Sequence, residues 1–255
     1  MGRFFITGSS DGIGLLAAKK LISQGHTVVL HARNDQRAKE TSAACPGAEA
    51  VLTADLTSID EIKSLASQAD KYGPYESVVH NAGVFTDMSP APSGYSTLFT
   101  VNLLAPWILT CLMKLPKRLV YISSGLHNQG SVKVLLEDIT KSNYNDSKLG
   151  IVILAKAIAR RYPPGTLEAY SVDPGWVPTR MGGPSATGDL QAAVDTFCEV
   201  ALGPQLDRGD KNMKWRNGGY FFNHKEKEPK KEAEDVKSQD AVLEQLKKVT
   251  GLGLE

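Results

Sequence analysis

The chain has 255 residues, 42% of them hydrophobic, and a formal charge of +1. That length and apolar content suffice for one α/β domain with a full core, and so balanced a charge gives no electrostatic case for nucleic acid or an anionic membrane. Cys45, Cys111 and Cys198 lie far apart without metal-ligand spacing, so no metal site is expected, and their odd number suggests reduced thiols and a cytoplasmic compartment. A strand-like run begins at Arg3, leaving no room for a signal peptide, and the longest apolar run, Leu149 to Ala155, is too short to span a bilayer; a soluble protein is expected.

Strand-like and helix-like stretches alternate along the chain. Arg3 to Ile6 reads as a strand, a glycine-rich loop follows, and Leu15 to Gln24 reads as a helix ended by Gly25. Thr27 to Leu30 is a β-branched strand, Ala38 to Ala44 a short helix, and Val51-Leu52 a strand leading to Asp55. Apolar positions at helical spacing mark Ile59 to Lys71, after which Ser77 to Val79 runs into Asn81-Ala82-Gly83. A helix around Thr100 to Met113, a strand from Leu119 to Ile122, a long helix from Tyr144 to Arg161 and a strand from Leu167 to Val172 follow. The mixed-charge run Lys225 to Lys237 reads as a solvated connector before a last helix, Gln239 to Val249. Such alternation implies βαβ units and a mostly parallel sheet.

Three local patterns carry chemistry. Thr7-Gly8-Ser9-Ser10-Asp11-Gly12-Ile13-Gly14 directly follows the first strand, where glycines permit tight turns and close approach of a pyrophosphate, and the helix N-terminus offers free N–H groups to phosphate. The spacing T-G-x-x-x-G-x-G meets the general dinucleotide fingerprint only loosely. Tyr144 and Lys148 stand at (i, i+4) and share a helix face, with Ser123-Ser124 closing an apolar run upstream. In the second strand, where an NAD-binding unit carries an acidic residue about 20 positions beyond the glycines, this chain has Ala32 and then Arg33. A carboxylate there would repel a 2′-phosphate and a guanidinium can grip it, so NADP(H) is the expected cofactor, although Asp11 removes a possible second anchor.

With Asp55-Leu56, Asn81-Ala82-Gly83, Asn102, and Pro174-Gly175 with Thr179, these motifs make the chain resemble the short-chain dehydrogenase/reductase family over residues 3 to 181. The stretch Tyr144 to Leu149, the run Asp173 to Val177 and the segment Gly218 to Phe221 are most similar to its retinol-dehydrogenase and WW-domain-oxidoreductase group. The resemblance implies a single Rossmann-type, doubly wound α/β domain over 1–255. Its cofactor-binding and catalytic core would be 3–181, a substrate-cover segment about 181–215, and a last strand and C-terminal helix about 216–255. It assigns cofactor contacts to Thr7, Gly8, Ser10, Asp11, Gly12, Ile13 and Gly14, to Arg33 and Asn34, and to Asp55 and Leu56. Asn81, Ala82 and Gly83 belong to the same set, with Pro174, Gly175, Val177, Thr179, Tyr144 and Lys148. Catalysis falls to Asn102, Ser124, Tyr144 and Lys148, with Lys148 also holding the nicotinamide ribose and Asn102 supporting a proton-relay water.

The chemistry fits those residue types. Hydride transfer to a carbonyl leaves an alkoxide that a phenol can protonate, and Ser124 can stabilise the developing charge. A cation about 4 Å away at an effective dielectric near 20 is worth about 4 kcal/mol, roughly three pKa units, so Lys148 is expected to bring Tyr144 toward working pH. The expected activity interconverts a small apolar carbonyl compound and an alcohol. The alternatives are a non-catalytic NADP(H)-sensing regulator on the same fold, and an isomerase or dehydratase with retained cofactor. Met181 to about Leu206 is read as a cover hinged at Gly182, Gly183 and Gly188 and lined by Leu190, Val194 and Phe197. His80 and Trp107 read as core residues, Trp176 as a pocket candidate and His127 as a surface side chain. The short stretch from Asn102 to Ser124 trims the helix that builds the family's interfaces, leaving homodimer and monomer both open. The insertion between Ser124 and Tyr144 adds a segment beside the site.

Overall fold

Phe4, Phe5 and Ile6 are all fully buried, so the first strand presents bulky apolar groups to both of its faces, the mark of a strand covered on two sides. The computed structural model describes residues 1–204 and 215–254. Its strands are β1 (Arg3–Ile6), β2 (Thr27–Ala32), β3 (Ala50–Thr53), β4 (Ser77–His80), β5 (Arg118–Ile122), β6 (Glu168–Asp173), β7 (Tyr220–Phe222) and β8 (Lys225–Lys227). They form one sheet in the order β3-β2-β1-β4-β5-β6-β7-β8. All pairs are parallel except β7 with β8. The helices are α1 (Gly12–Ser23), α2 (Asp35–Ala44), α3 (Ile59–Asp70), α4 (Thr97–Phe99), α5 (Ala105–Leu112), α6 (Val132–Glu137), α7 (Tyr144–Arg161), α8 (Leu190–Leu202) and α9 (Val236–Thr250). A π-helical turn, Thr100–Leu104, joins α4 to α5.

Alternation along the strands splits the core in two. Phe4, Ile6, Val28 and Leu30 pack with Leu21 of α1 and with Val194 and Phe197 of α8. Phe5, Val29 and Val78 face the other way, toward Ile62 of α3, Ile108 of α5 and Ile151 of α7. The doubly wound α/β fold expected from the alternation is therefore present, and Trp107 and His80 lie in the core.

Two expectations need correction. Val194 and Phe197 do not line a substrate cover: α8 packs its apolar face onto α1 and the sheet, and both side chains are buried in that core. The remainder of the expected cover, 205–214, lies outside the described residues. The charged run after β7 is not a solvated connector. Lys225–Lys227 forms β8, and the strap beyond it is tied to α7 by Lys156, which pairs with Glu234 at 2.7 Å and donates to the Gly218 carbonyl at 3.1 Å. The insertion before Tyr144 spends its apolar face on the fold: α6 packs on α7 and α9, and Leu135 is fully buried.

Candidate active site

The strand order reverses between β1 and β4, and the loops leaving the carboxyl ends of β1, β4, β5 and β6 carry the expected site residues. Thr7 binds two of these loops together, its Oγ1 accepting from the backbone N–H groups of Asn81 (3.0 Å) and Ala82 (3.2 Å). Asn81 returns the tie, donating from Nδ2 to the Thr7 and Gly8 carbonyls, each at 2.9 Å. Gly8 sits at φ +62°, and a Cβ there would stand 2.6 Å from the Ala82 Cα, so the close approach requires glycine. His31 of β2 grips the same loop: Nδ1 accepts from the Gly8 N–H at 3.0 Å while Nε2 faces the Ala54 carbonyl at 2.9 Å. Burial pushes this imidazole down to about 4, against its bond to Ala54, so it is neutral. Sequence reading missed His31; a polar side chain inside the otherwise apolar Val28 to Ala32 was the available signal.

At the start of α1, Asp11 makes no side-chain cap. It pairs instead with Arg37 Nη2 at 2.7 Å, and the same guanidinium donates to Ser10 Oγ at 3.1 Å. The first-turn N–H groups beside Gly12, Ile13 and Gly14 thus have no cap from Asp11, an arrangement that suits a phosphate. Arg33 is exposed, and among the described residues no ion pair joins it to Asp35. Asn34 caps α2, accepting from the Arg37 N–H at 3.0 Å, and that turn swings Arg37 back over the glycine loop. Asp55 Oδ1 accepts from the Thr57 N–H, fixing the turn after β3, and Leu56 is buried beside it. After β6, the Gly175 N–H donates to Asp173 Oδ1 at 2.8 Å, Pro174 lies between them, and Val177 is buried. Thr179 closes toward the glycine loop, 3.7 Å from where a Cβ on Gly12 would stand.

The presumed chemical groups converge at the ends of β5 and α7. Asn143 opens α7 with a capping box against Asp146, which places Tyr144 in the first turn and Lys148 one turn on. The Ser124 side chain lies near enough to the Tyr144 phenol to favour its ionised form, and its Oγ accepts from the Leu126 N–H at 3.2 Å. Lys148 Nζ donates to the Ile122 carbonyl at 2.8 Å and lies 5.5 Å from the centre of the Tyr144 ring. Gly83 borders this cluster: a Cβ there would make ordinary contacts, 3.5 Å from Lys148 Nζ and 3.4 Å from Asn102 Oδ1. Asn102, in the π-helical turn, accepts from the Val84 N–H (2.8 Å) and donates to the Val84 carbonyl (2.9 Å) and to Ser147 Oγ (3.1 Å). It thereby pins the loop after β4 to α7, and π-turns recur at functional sites.

The electrostatics depart from expectation in one respect. Burial lowers Lys148 to about 8 even though the Asp173 carboxylate offsets part of the effect, a net cost to its charged form on the order of 3 kcal/mol. It is still an ammonium at neutrality. Tyr144, however, is raised: burial outweighs the lowering influence of the nearby Ser124 hydroxyl, and Asp173 adds to the rise. The expected downward pull of Lys148 is not what governs this phenol, because the ammonium points at the Ile122 carbonyl. A phenol that keeps its proton is suited to donating it. Two other expectations also fail. His127 is not a surface side chain but is fully buried. Trp176 is 58% exposed and its indole donates to the Gly182 carbonyl at 2.9 Å, which ties its own loop together.

The family profile described as short chain dehydrogenase matches residues 3–189. The chain belongs to the short-chain dehydrogenase/reductase family. An uncharacterized oxidoreductase of Emericella nidulans is 44% identical over 100% of this chain and 99% of its own length. Retinol dehydrogenase 14 of mouse is 26% identical, covering 69% of this chain and 61% of its own. A short-chain dehydrogenase from Sphingobium yanoikuyae, solved in complex with NADPH, shares the fold with a TM-score of 0.61 and 22% identity, over 77% of this chain and 83% of that one. The protein is accordingly an oxidoreductase of this family. Among the described residues no helix is long and apolar enough to cross a membrane, and none of His, Cys, Asp and Glu cluster as a metal site.

Proposed function

We propose that this oxidoreductase interconverts an apolar carbonyl compound and its alcohol with NADP(H). The observation that carries the reading is the Tyr144 phenol, within reach of the Ser124 side chain, beside the buried ammonium of Lys148, 5.5 Å from the Tyr144 ring centre. The dinucleotide supplies or accepts the hydride when bound. The residues of the first α1 turn, with Thr7 to Gly14, would hold its pyrophosphate, and Lys148 its nicotinamide ribose. Ser124 orients the substrate oxygen by a hydrogen bond, and Tyr144 Oη delivers or takes the proton there. Arg37 and Arg33 supply positive charge where a 2′-phosphate would sit, which supports NADP(H); the NADPH held by the Sphingobium protein agrees. The apolar preference rests on Phe85, whose ring meets Tyr144 edge-on at 4.7 Å, and on Met181 beside Gly83, both about half exposed.

NADPH oxidation followed by absorbance against a panel of aldehydes, ketones and quinones tests the reading. Apolar members of the panel should be reduced, with turnover falling as pH rises through about 8, where Lys148 loses its charge. Tyr144→Phe should lower turnover by at least about a hundredfold while NADPH binding survives, the scale of a lost general acid. NADPH binding without oxidation by any carbonyl would defeat the proposal.

A further inference from the structure

The inserted stretch after Ser124 and the charged run after β7 meet on one buried imidazole. His127 exposes none of its surface. Its Nδ1 lies 2.7 Å from the Ser124 carbonyl oxygen, and its Nε2 lies 3.0 Å from the backbone nitrogen of Lys230. A backbone N–H can only donate, so Nε2 offers a lone pair and Nδ1 carries the proton, donating it to Ser124. The His127 backbone N–H donates to the same carbonyl at 3.0 Å. Three charged or titratable neighbours complete the surroundings. The Tyr220 ring stands 4.7 Å from the imidazole and its hydroxyl donates to Asp173 Oδ2 at 3.0 Å; the Lys230 ammonium turns away to the Gly130 carbonyl at 2.7 Å. Burial keeps the imidazole below its ordinary range, consistent with a neutral ring.

We propose that His127 is a positioning residue that latches the strap Lys225–Glu234 to the backbone of Ser124, so that the aim of the Ser124 hydroxyl depends on a segment far downstream. The proposal rests on the catalytic reading of Ser124. The Ser124 carbonyl is held twice by His127, and the ring is in turn held by Lys230, 103 positions away in the chain. Releasing Lys230 frees the ring to turn and removes one of the two hydrogen bonds on the Ser124 carbonyl, leaving the Leu126 N–H on the Ser124 hydroxyl.

Lys230 offers a clean test because its φ of −50° is close to that of proline. Lys230→Pro deletes the N–H at a φ proline accepts and puts a ring carbon where His127 Nε2 now rests, so the ring is forced off the strap, whereas Lys230→Ala removes the ammonium but keeps the N–H. Lys230→Pro should lower kcat by about tenfold, the kinetic equivalent of one hydrogen bond, with KM and NADPH affinity within about twofold of wild type; Lys230→Ala should stay near wild-type kcat. Two readouts hold whether or not a carbonyl substrate has been found. The ¹⁵N shifts of His127 should report the Nδ1–H tautomer, and amide exchange across 124–130 should be faster in Lys230→Pro than in Lys230→Ala. An Nε2–H tautomer, or equal kcat and equal exchange in the two variants, overturns the latch. A wild type that reduces no carbonyl yet passes both spectroscopic tests would defeat the proposed activity and not the latch.

Discussion

At the scale of single residues, the Asp11–Arg37 pair bears directly on the proposed preference for NADP(H). Both side chains are partly exposed, 49% and 28%, so the pair is worth about 1 kcal/mol or less. A phosphate making charge-assisted bonds of about 1.5–3 kcal/mol each would displace the carboxylate. Asp11→Ala should therefore tighten NADPH by about threefold or more while leaving NADH nearly unchanged. Arg37→Ala should weaken NADPH by about ten- to a hundredfold and spare NADH. Calorimetric titration of both cofactors reads these shifts, and a loss shared by the two cofactors in Arg37→Ala would remove its assigned role. The sequence pointed to Arg33, because distance from the glycines is countable in one dimension. Arg37 was not legible, since only the Asn34 cap and one helical turn return it to Ser10. The shared helix of Tyr144 and Lys148 was legible because the (i, i+4) rule applies within one element, and both lie on α7. The raised phenol was not, because which way the ammonium points depends on the Ile122 carbonyl.

At the scale of elements, two buried histidines make the parallel sheet sensitive to acid. His80 at the end of β4 stacks on Tyr121 of β5 at 4.8 Å and is held by burial at about 3, and His31 on β2 at about 4. Both folded values lie below the unfolded 6.5, so below that pH the unfolded chain binds more protons. Stability is then full above about 6.5 and declines as pH falls toward 4, with a slope of about 1.4 kcal/mol per pH unit for each group. Urea midpoints across that window should show it, and His80→Phe should reduce the slope by about one proton while keeping the stack on Tyr121. An unchanged slope in His80→Phe would show that His80 titrates normally. The strands themselves were readable because β-branched runs buried on two faces leave few alternatives. The face of α8 was not: apolar spacing at Leu190, Val194 and Phe197 is the same whether a helix looks at a substrate or at a sheet. β8 was hidden for a related reason, since an edge strand tolerates the charges of Lys225, Glu226 and Lys227 that look like a solvated run.

At the scale of the whole molecule, α7 spends its surface inside its own chain. Every residue from Asp146 to Ile158 is buried, with α6 and α9 packed against the helix. α9 contributes the buried Val242, Leu243 and Leu246, and its Thr250 accepts from the Trp107 indole of α5 at 3.0 Å. Arg160 of α7 pairs with Asp240 of α9. Little apolar surface of α5 and α7 is left for a second copy to cover. Light scattering should give a mass near 27.5 kDa that does not change with concentration. Twice that mass, lost on substituting exposed residues of α9, would place a dimer on this face after all. Sequence left homodimer and monomer open, because the packing of α9 on α7 joins positions about 80 residues apart.

The latch on His127 also has a consequence in time. A chain made on the ribosome emerges N-terminal end first, at about 5–20 residues per second. By the time β6 is out, the glycine loop, Ser124, Tyr144 and Lys148 have all been synthesised, yet Lys230 has not. The nascent protein can thus hold the parts of the proposed cofactor cleft while Ser124 still lacks the restraint that arrives only when the strap has crossed back over the finished sheet.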